Sequence, residues 1–185
     1  MSNPHSHSRA LARTAVMGAL CAVLTLVSVR AGNLRITFAF LPALITSVLF
    51  GPLQGAAVAL IGEFLNQLLS YGLTATTLLW LLPPAVRAVC VGVAARRLRA
   101  KGHMLEAKPV LWYTVVIAST LLTTLCNTAV IWLDSVLYGY YSFAYVFGDT
   151  ALRLFTGVIT AAVVGTLALP LLRFLRKQPF LQREL

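Results

Sequence analysis

The sequence predicts an all-α, polytopic membrane protein of six transmembrane helices with both termini in the cytoplasm, and three observations carry that reading. Apolar residues make up 59% of the chain and charged ones only 11%, and mean hydropathy is +0.84; soluble domains sit near roughly 45–50% and 25%. Eleven of the fifteen basic residues fall in three stretches: Arg9 and Arg13; Arg96, Arg97, Arg99, Lys101 and Lys108; and Arg173, Arg176, Lys177 and Arg183. Cytoplasmic loops carry the excess Lys and Arg, so all three stretches belong on the inner side. Between them lie enough apolar runs for an even number of crossings, each needing about 20 residues, or fewer where protein shields a short helix.

The spans are expected near 10–29, 36–50, 52–70, 74–95, 110–134 and 145–175. They divide the chain into a disordered cytoplasmic leader (1–9), a single six-helix transmembrane domain (10–178) and a cytoplasmic tail (179–185). The first span follows a basic segment and imitates a secretory signal, but Arg30 in Ser28-Val29-Arg30 stands where a small residue would precede cleavage, so it is retained as a helix. The second is short and begins with Phe38-Ala39-Phe40-Leu41-Pro42; Gly51-Pro52 then makes a tight cytoplasmic turn into the third. In the fourth, Pro83-Pro84 should kink the helix and free carbonyls that Arg87 can satisfy. The sixth runs past the membrane on the cytoplasmic side. The 30–35, 70–75 and 135–145 connections then face outward.

Several function classes drop out. A net charge of +10 suggests nucleic acid in a soluble protein, but here the bases are interfacial and serve topology and anionic headgroups. Cys21, Cys90 and Cys126 are odd in number, sit in apolar runs and lack metal-ligand spacing, so no disulfide or metal is expected. His5 and His7 have no third ligand nearby. No Gly-Lys dipeptide exists, so a Walker A loop is absent and any ATP-driven work falls to a partner. No His lies in a span, which removes the base of a Ser-His intramembrane protease.

Polar groups inside the spans are few: Glu63, Asn66 and Gln67, Arg87, Asn127 and Asp134, Asp149 and Arg153. Ionisable groups are costly in hydrocarbon and face an interior or a wet cavity. Glu63, Asn66 and Gln67 share one helix face at i, i+3 and i+4. Asp149 and Arg153 form an i, i+4 pair at the outer end of the last span. With Arg30 and Arg35 in the first outer loop, these groups converge on the extracellular half, except Arg87, which lies deeper in the fourth span and reads as a snorkelling or structural arginine near its inner half. Phe40 and Trp132 lie close to them, whereas Tyr138, Tyr140, Tyr141 and Tyr145 read as an interfacial belt. Aromatic walls beside carboxylates and arginines suit a flat, heteroaromatic, water-soluble ligand.

Leu34-Arg35-Ile36-Thr37-Phe38-Ala39-Phe40-Leu41-Pro42, followed by Phe50-Gly51-Pro52-Leu53-Gln54-Gly55 with Ala59 and Glu63, resembles the start of helices two and three in substrate-binding (S) components of energy-coupling factor (ECF) vitamin importers. Asn127-Thr128-Ala129-Val130-Ile131-Trp132 with Tyr138-Gly139 is similar to the helix-five pattern of the same family, with Trp132 two places late. The likeness is closest to the folate-type branch. Helix six departs from that branch: Asp149, Arg153 and Gly157 stand where it has a basic residue, an apolar run and a proline, and the first proline is Pro170. The resemblance implies a membrane-embedded subunit in a prokaryotic plasma membrane that is not an enzyme. It implies capture of a vitamin or precursor, folate- or pterin-like, at the outer face and inward delivery by docking on a membrane-coupling (T) subunit with two cytoplasmic ATPases that hydrolyse ATP. It also implies a docking patch of small residues on helix one, for which Ala15 and Ala19, with Gly18 and Ala22, are the candidates; small residues four apart allow close helix approach. The same residues serve intramolecular packing equally well. The expected ligand contacts are Arg30, Arg35, Phe40, Glu63, Asn66, Asn127, Trp132, Asp149 and Arg153, with no cofactor bound by the chain itself.

Two other classes stay open. A lipid-headgroup enzyme needs clustered carboxylates for metal ions, and Glu63, Asp134 and Asp149 are each alone in their segments. An autonomous secondary transporter needs broken helices in corresponding halves, and Pro83-Pro84 has no counterpart in helix one or six.

Overall fold

The computed structural model describes residues 4–27, 29–31 and 34–178. Helix α1 (Pro4–Leu26) leads into a two-stranded hairpin, β1 (Val29–Ala31) and β2 (Leu34–Ile36). Then come α2 (Phe40–Phe50), α3 (Pro52–Ser70), the one-turn α4 (Thr77–Trp80) and α5 (Leu82–Ala100). After a 3-10 turn at Leu105–Ala107 follow α6 (Pro109–Leu137), the short α7 (Phe143–Phe147) and α8 (Thr150–Arg176).

Four segments are long and apolar enough to cross a membrane on their own: Ser8–Leu26, Thr77–Ala100, Pro109–Leu137 and Phe143–Arg176. The other two crossings are α2 and α3, and each falls short for a physical reason. With 11 residues, α2 is about 16 Å long at 1.5 Å per residue. Over its length, α3 carries Gln54, Glu63, Asn66 and Gln67, which lower its hydropathy. Protein shields both. Every residue of α2 from Pro42 to Leu49 is buried, and the helix packs on α1, α3, α5 and α8. A helix apolar all round belongs in the middle of a bundle.

Where structure and expectation differ, local chemistry explains it. Because α1 starts at Pro4, the leader expected over 1–9 is helical from there on; proline suits a first helical turn, whose N–H has no intrahelical partner, and nothing between Pro4 and Ala10 breaks the helix. Residues 1–3 and the tail 179–185 lie outside the described residues, as do the side chains of His5 and His7. The loop expected at 30–35 is a hairpin in which Arg30 pairs directly opposite Arg35. Gly32-Asn33, between two short runs, is a sequence signal for such a hairpin that the span count passed over. Its strands delay the start of α2 from 36 to Phe40. The expected kink at Pro83-Pro84 is a break: α4 ends at Trp80, and α5 begins at Leu82 with both prolines in its first turn.

The buried apolar residues form two clusters. One joins α2, α5, α6 and α8 through Leu44, Val48, Val91, Trp112, Val116, Val164 and Leu172. The other joins α1, α2, α3 and α5 through Cys21, Ala43, Val58, Ala59 and Ala88. Phe40 packs against both. Close approach depends on small residues, as expected where hydrocarbon on all sides removes the hydrophobic drive and packing must supply the attraction. A Cβ on Gly92 would lie under 3.0 Å from the backbone of Pro52. On the other side of the bundle, Gly157 faces Thr120 and Thr124. The buried hydroxyls of Ser119, Thr120, Thr123, Thr124 and Thr128 bond back to carbonyls three or four residues earlier, so α6 presents them without unpaired polar atoms. Trp112 is fully buried, and its indole N–H donates to the Gly165 carbonyl of α8 at 3.1 Å.

The basic stretches gather at one end. Arg13 donates to Gln54 at 3.0 Å, and its guanidinium lies 3.5 Å from the centre of the Phe50 ring. Arg99 donates to the carbonyls of Val48 and Leu49 at 2.6 and 3.1 Å, capping the C-terminus of α2. Arg176 pairs with the buried Glu106. By the positive-inside rule this end is cytoplasmic.

Candidate functional site

Polar chemistry inside the bundle starts on α3. Asn66 Nδ2 and Gln67 Nε2 both donate to Oε1 of Glu63, at 3.1 and 2.9 Å. Ser70 Oγ donates to Asn66 Oδ1 at 3.2 Å. The i, i+3, i+4 spacing makes this ladder a property of one helix, so its geometry is set before any ligand arrives. Gln67 is buried, while Glu63 and Asn66 are partly buried. Each therefore keeps surface on which a second partner can bond.

Phe40, the first residue of α2, lies beneath a base: the Arg87 guanidinium stands 4.1 Å from its ring centre. Arg87 does not serve the carbonyls it was expected to serve. Its Nε is buried and has no hydrogen-bond partner. The break at Leu81 explains this, because prolines in a first turn remove no bond that the helix would have made and free no carbonyl within it.

On α6, Asn127 is partly buried and makes no side-chain hydrogen bond among the described residues. Trp132 is 46% exposed and lies about 140° around the helix from Asn127 at 3.6 residues per turn. The structure brings it against no other aromatic ring among the described residues. Asp134, at the outer end of α6, is buried and accepts from the Tyr140 hydroxyl. That hydrogen bond, together with burial and the carboxylate's charge, holds the Tyr140 phenol above its ordinary range. The loop is folded back by Gly139, whose φ of 73° lets Tyr140 N–H reach the Ser135 carbonyl at 3.0 Å. Tyr138, Tyr140, Tyr141 and Tyr145 are all exposed around it, the arrangement of an interfacial belt.

The expected Asp149–Arg153 pair does not form. Arg153 instead donates to the carbonyls of Val146 and Tyr145, at 3.4 Å each. A helix break at Gly148-Asp149 leaves the C-terminal carbonyls of α7 open, and the arginine four residues on is in reach to cap them. Asp149 stays exposed at the start of α8. For Arg30 and Arg35 the backbone register is described, while their side chains are not. The candidate docking residues divide: Ala15 and Ala19 are exposed, whereas Ala22 is buried and Gly18 is packed against Ile61 of α3. Gly18 and Ala22 thus belong to intramolecular packing.

A family model for the S component of ECF-type riboflavin transporters matches residues 6–177. The chain belongs to that family. A solved structure of the S component of a bacterial ECF transporter shares the fold of this S component, with a TM-score of 0.63 and 20% identity over 92% of this chain and 99% of that one. No curated protein matches the sequence. The resemblance read from Leu34–Pro42 and Asn127–Gly139 therefore holds for the S-component family, although the matching model is named for the riboflavin type rather than the folate type. The family is one of transport components, not of enzymes. The polar and aromatic groups inside the bundle of this S component fall into a hydrogen-bonded ladder on α3, an amide on α6 without a side-chain hydrogen bond among the described residues and a guanidinium–aromatic pair where the two cores meet.

Proposed function

We propose that this S component captures a flat, water-soluble heteroaromatic vitamin or precursor at the outer face and delivers it inward. The Glu63–Asn66–Gln67 ladder carries the reading. Oriented amides and a carboxylate in an otherwise apolar bundle offer both donors and acceptors, and their placement on one helix face matches the alternating edge of a pyrimidine-fused ring. Flavins, for which the family is named, and pterins both have that edge. Phe40 offers the stacking surface and Asn127 an additional polar contact, while Arg30 and Arg35 stand by register on one hairpin. Delivery requires docking on a T subunit with two cytoplasmic ATPases, and the exposed Ala15 and Ala19 of α1 supply a face for close helix approach. A prokaryotic plasma membrane is the setting.

Fluorescence titration of the purified protein with riboflavin and with folate tests the site. Glu63→Ala and Asn127→Ala should each weaken binding by about tenfold or more, the scale of a lost hydrogen bond to a desolvated partner. Unchanged affinity in both variants would overturn the pocket.

A further inference from the structure

Among the described residues, Arg87 is the one base inside the bundle for which neither topology nor the fold gives a use. Intramembrane arginines are costly and are normally paired with an acid or with backbone carbonyls. Here neither partner exists among the described residues. Glu63 is engaged by Asn66 and Gln67, Asp134 by Tyr140 and Glu106 by Arg176, while Asp149 is exposed at the start of α8. The Nε of Arg87 is shut off from solvent and has no partner. What holds the guanidinium is the Phe40 ring, 4.1 Å away. A ring face attracts a cation but leaves its N–H donors unused.

The location is as informative as the missing partners. Phe40 begins a helix of 11 residues, so it stands about 16 Å above the cytoplasmic turn, near the middle of a hydrocarbon layer of about 30 Å. On its outer side the chain continues as residues 37–39 and the hairpin instead of helix. Arg87 rises from α5 five residues outward of Gly92, which packs on Pro52 at the inner turn, and reaches up to Phe40. The guanidinium therefore sits at mid-membrane, on the residue where the two cores meet. The N-terminal end of α2, which has no side-chain cap, adds potential of the same sign.

We infer that Arg87 is the ligand's oxygen anchor at the floor of the site, donating its free N–H groups to a ring carbonyl or carboxylate oxygen of a molecule stacked near Phe40. This rests on the vitamin-binding reading and adds a requirement to it: the substrate carries an acceptor edge rich in negative charge. The chemistry is that of guanidinium recognition, in which a planar fork outperforms a point charge.

The full chain in lipid nanodiscs, as wild type, Arg87→Lys and Arg87→Met, is titrated with riboflavin and with folate, and the thermal midpoint of each empty protein is measured. Arg87→Met should weaken binding of whichever vitamin the wild type takes by at least about tenfold, with Arg87→Lys between the two. The empty Arg87→Met protein should melt at the same or a higher temperature, because an uncompensated charge has been removed. A lower midpoint for empty Arg87→Met with unchanged affinity would show that Arg87 only braces Phe40, and the assignment would fall. If the wild type binds neither vitamin, the vitamin reading fails. The anchor role then falls with it, whereas a wild type that binds a vitamin and an Arg87→Met protein of unchanged affinity, whatever its midpoint, would overturn the anchor role alone.

Discussion

Asp134 and Tyr140 illustrate how a single hydrogen bond organises an outer loop. The carboxylate is buried at the end of α6, and the phenol that donates to it is 45% exposed. Donation to a carboxylate favours the neutral phenol, so the folded-state value lies above the ordinary one, about 10 for a free tyrosine. The sign follows. The contact's contribution is fully present below about pH 10 and is lost as pH rises through the higher folded value. Ultraviolet titration should find a phenol ionising above the ordinary range in the wild type and none there in Tyr140→Phe; its persistence in that variant would assign it to another tyrosine. At this scale, Glu63, Asn66 and Gln67 were legible because their partners lie on the same helix, within four residues. The cap that Arg153 places on α7 was not, because the sequence does not show where one helix stops and the next begins.

Elements were predicted best where composition alone sets them. The expected 52–70 helix is α3 as observed, bounded by Gly51-Pro52 on one side and by the turn at Tyr71-Gly72 on the other. Misreadings cluster at irregular joints. The hairpin shortens α2, and α4 separates from α5 at Leu81. Gly92 is where two elements constrain each other most, since a side chain there meets the backbone of Pro52 and not a flexible tip. Gly92→Val should cost about 1–3 kcal/mol, the usual price of overpacking a tight contact, and lower the thermal midpoint in nanodiscs. An unchanged midpoint would mean that α5 and the α2–α3 turn are not in contact as described. The sequence marked Gly92 only as one glycine in an apolar run; its neighbour forty residues earlier could not be read from it.

On the scale of the whole molecule, the outer surface is lipid-facing. Leu11, Val16, Leu20 and Val23 of α1 are exposed, with Ala15 and Ala19 between them. Such a body, without large hydrophilic loops, can reorient in a bilayer without dragging charged domains through hydrocarbon. If α1 is the T-subunit face, Ala15→Trp/Ala19→Trp should reduce recovery with a coexpressed T subunit and ATPase pair severalfold, while ligand affinity stays as in the wild type. Equal recovery would remove α1 from that interface. Gly18→Val is the contrasting change: packed against Ile61, it should lower the stability of the isolated protein.

Class, topology and orientation were determined by sequence alone, because hydrocarbon is an unforgiving solvent: apolar length and the placement of Lys and Arg leave little choice about what crosses and which end stays inside. The family could be read there too, from short patterns such as Leu34–Pro42. Only the tertiary structure decided which polar groups meet. It set Arg87 over Phe40, left Asp149 and Arg153 apart, and turned Gly18 inward while keeping Ala15 and Ala19 outside. Those outcomes depend on helix rotation and on where each helix breaks, and both are set by packing between segments far apart in the chain.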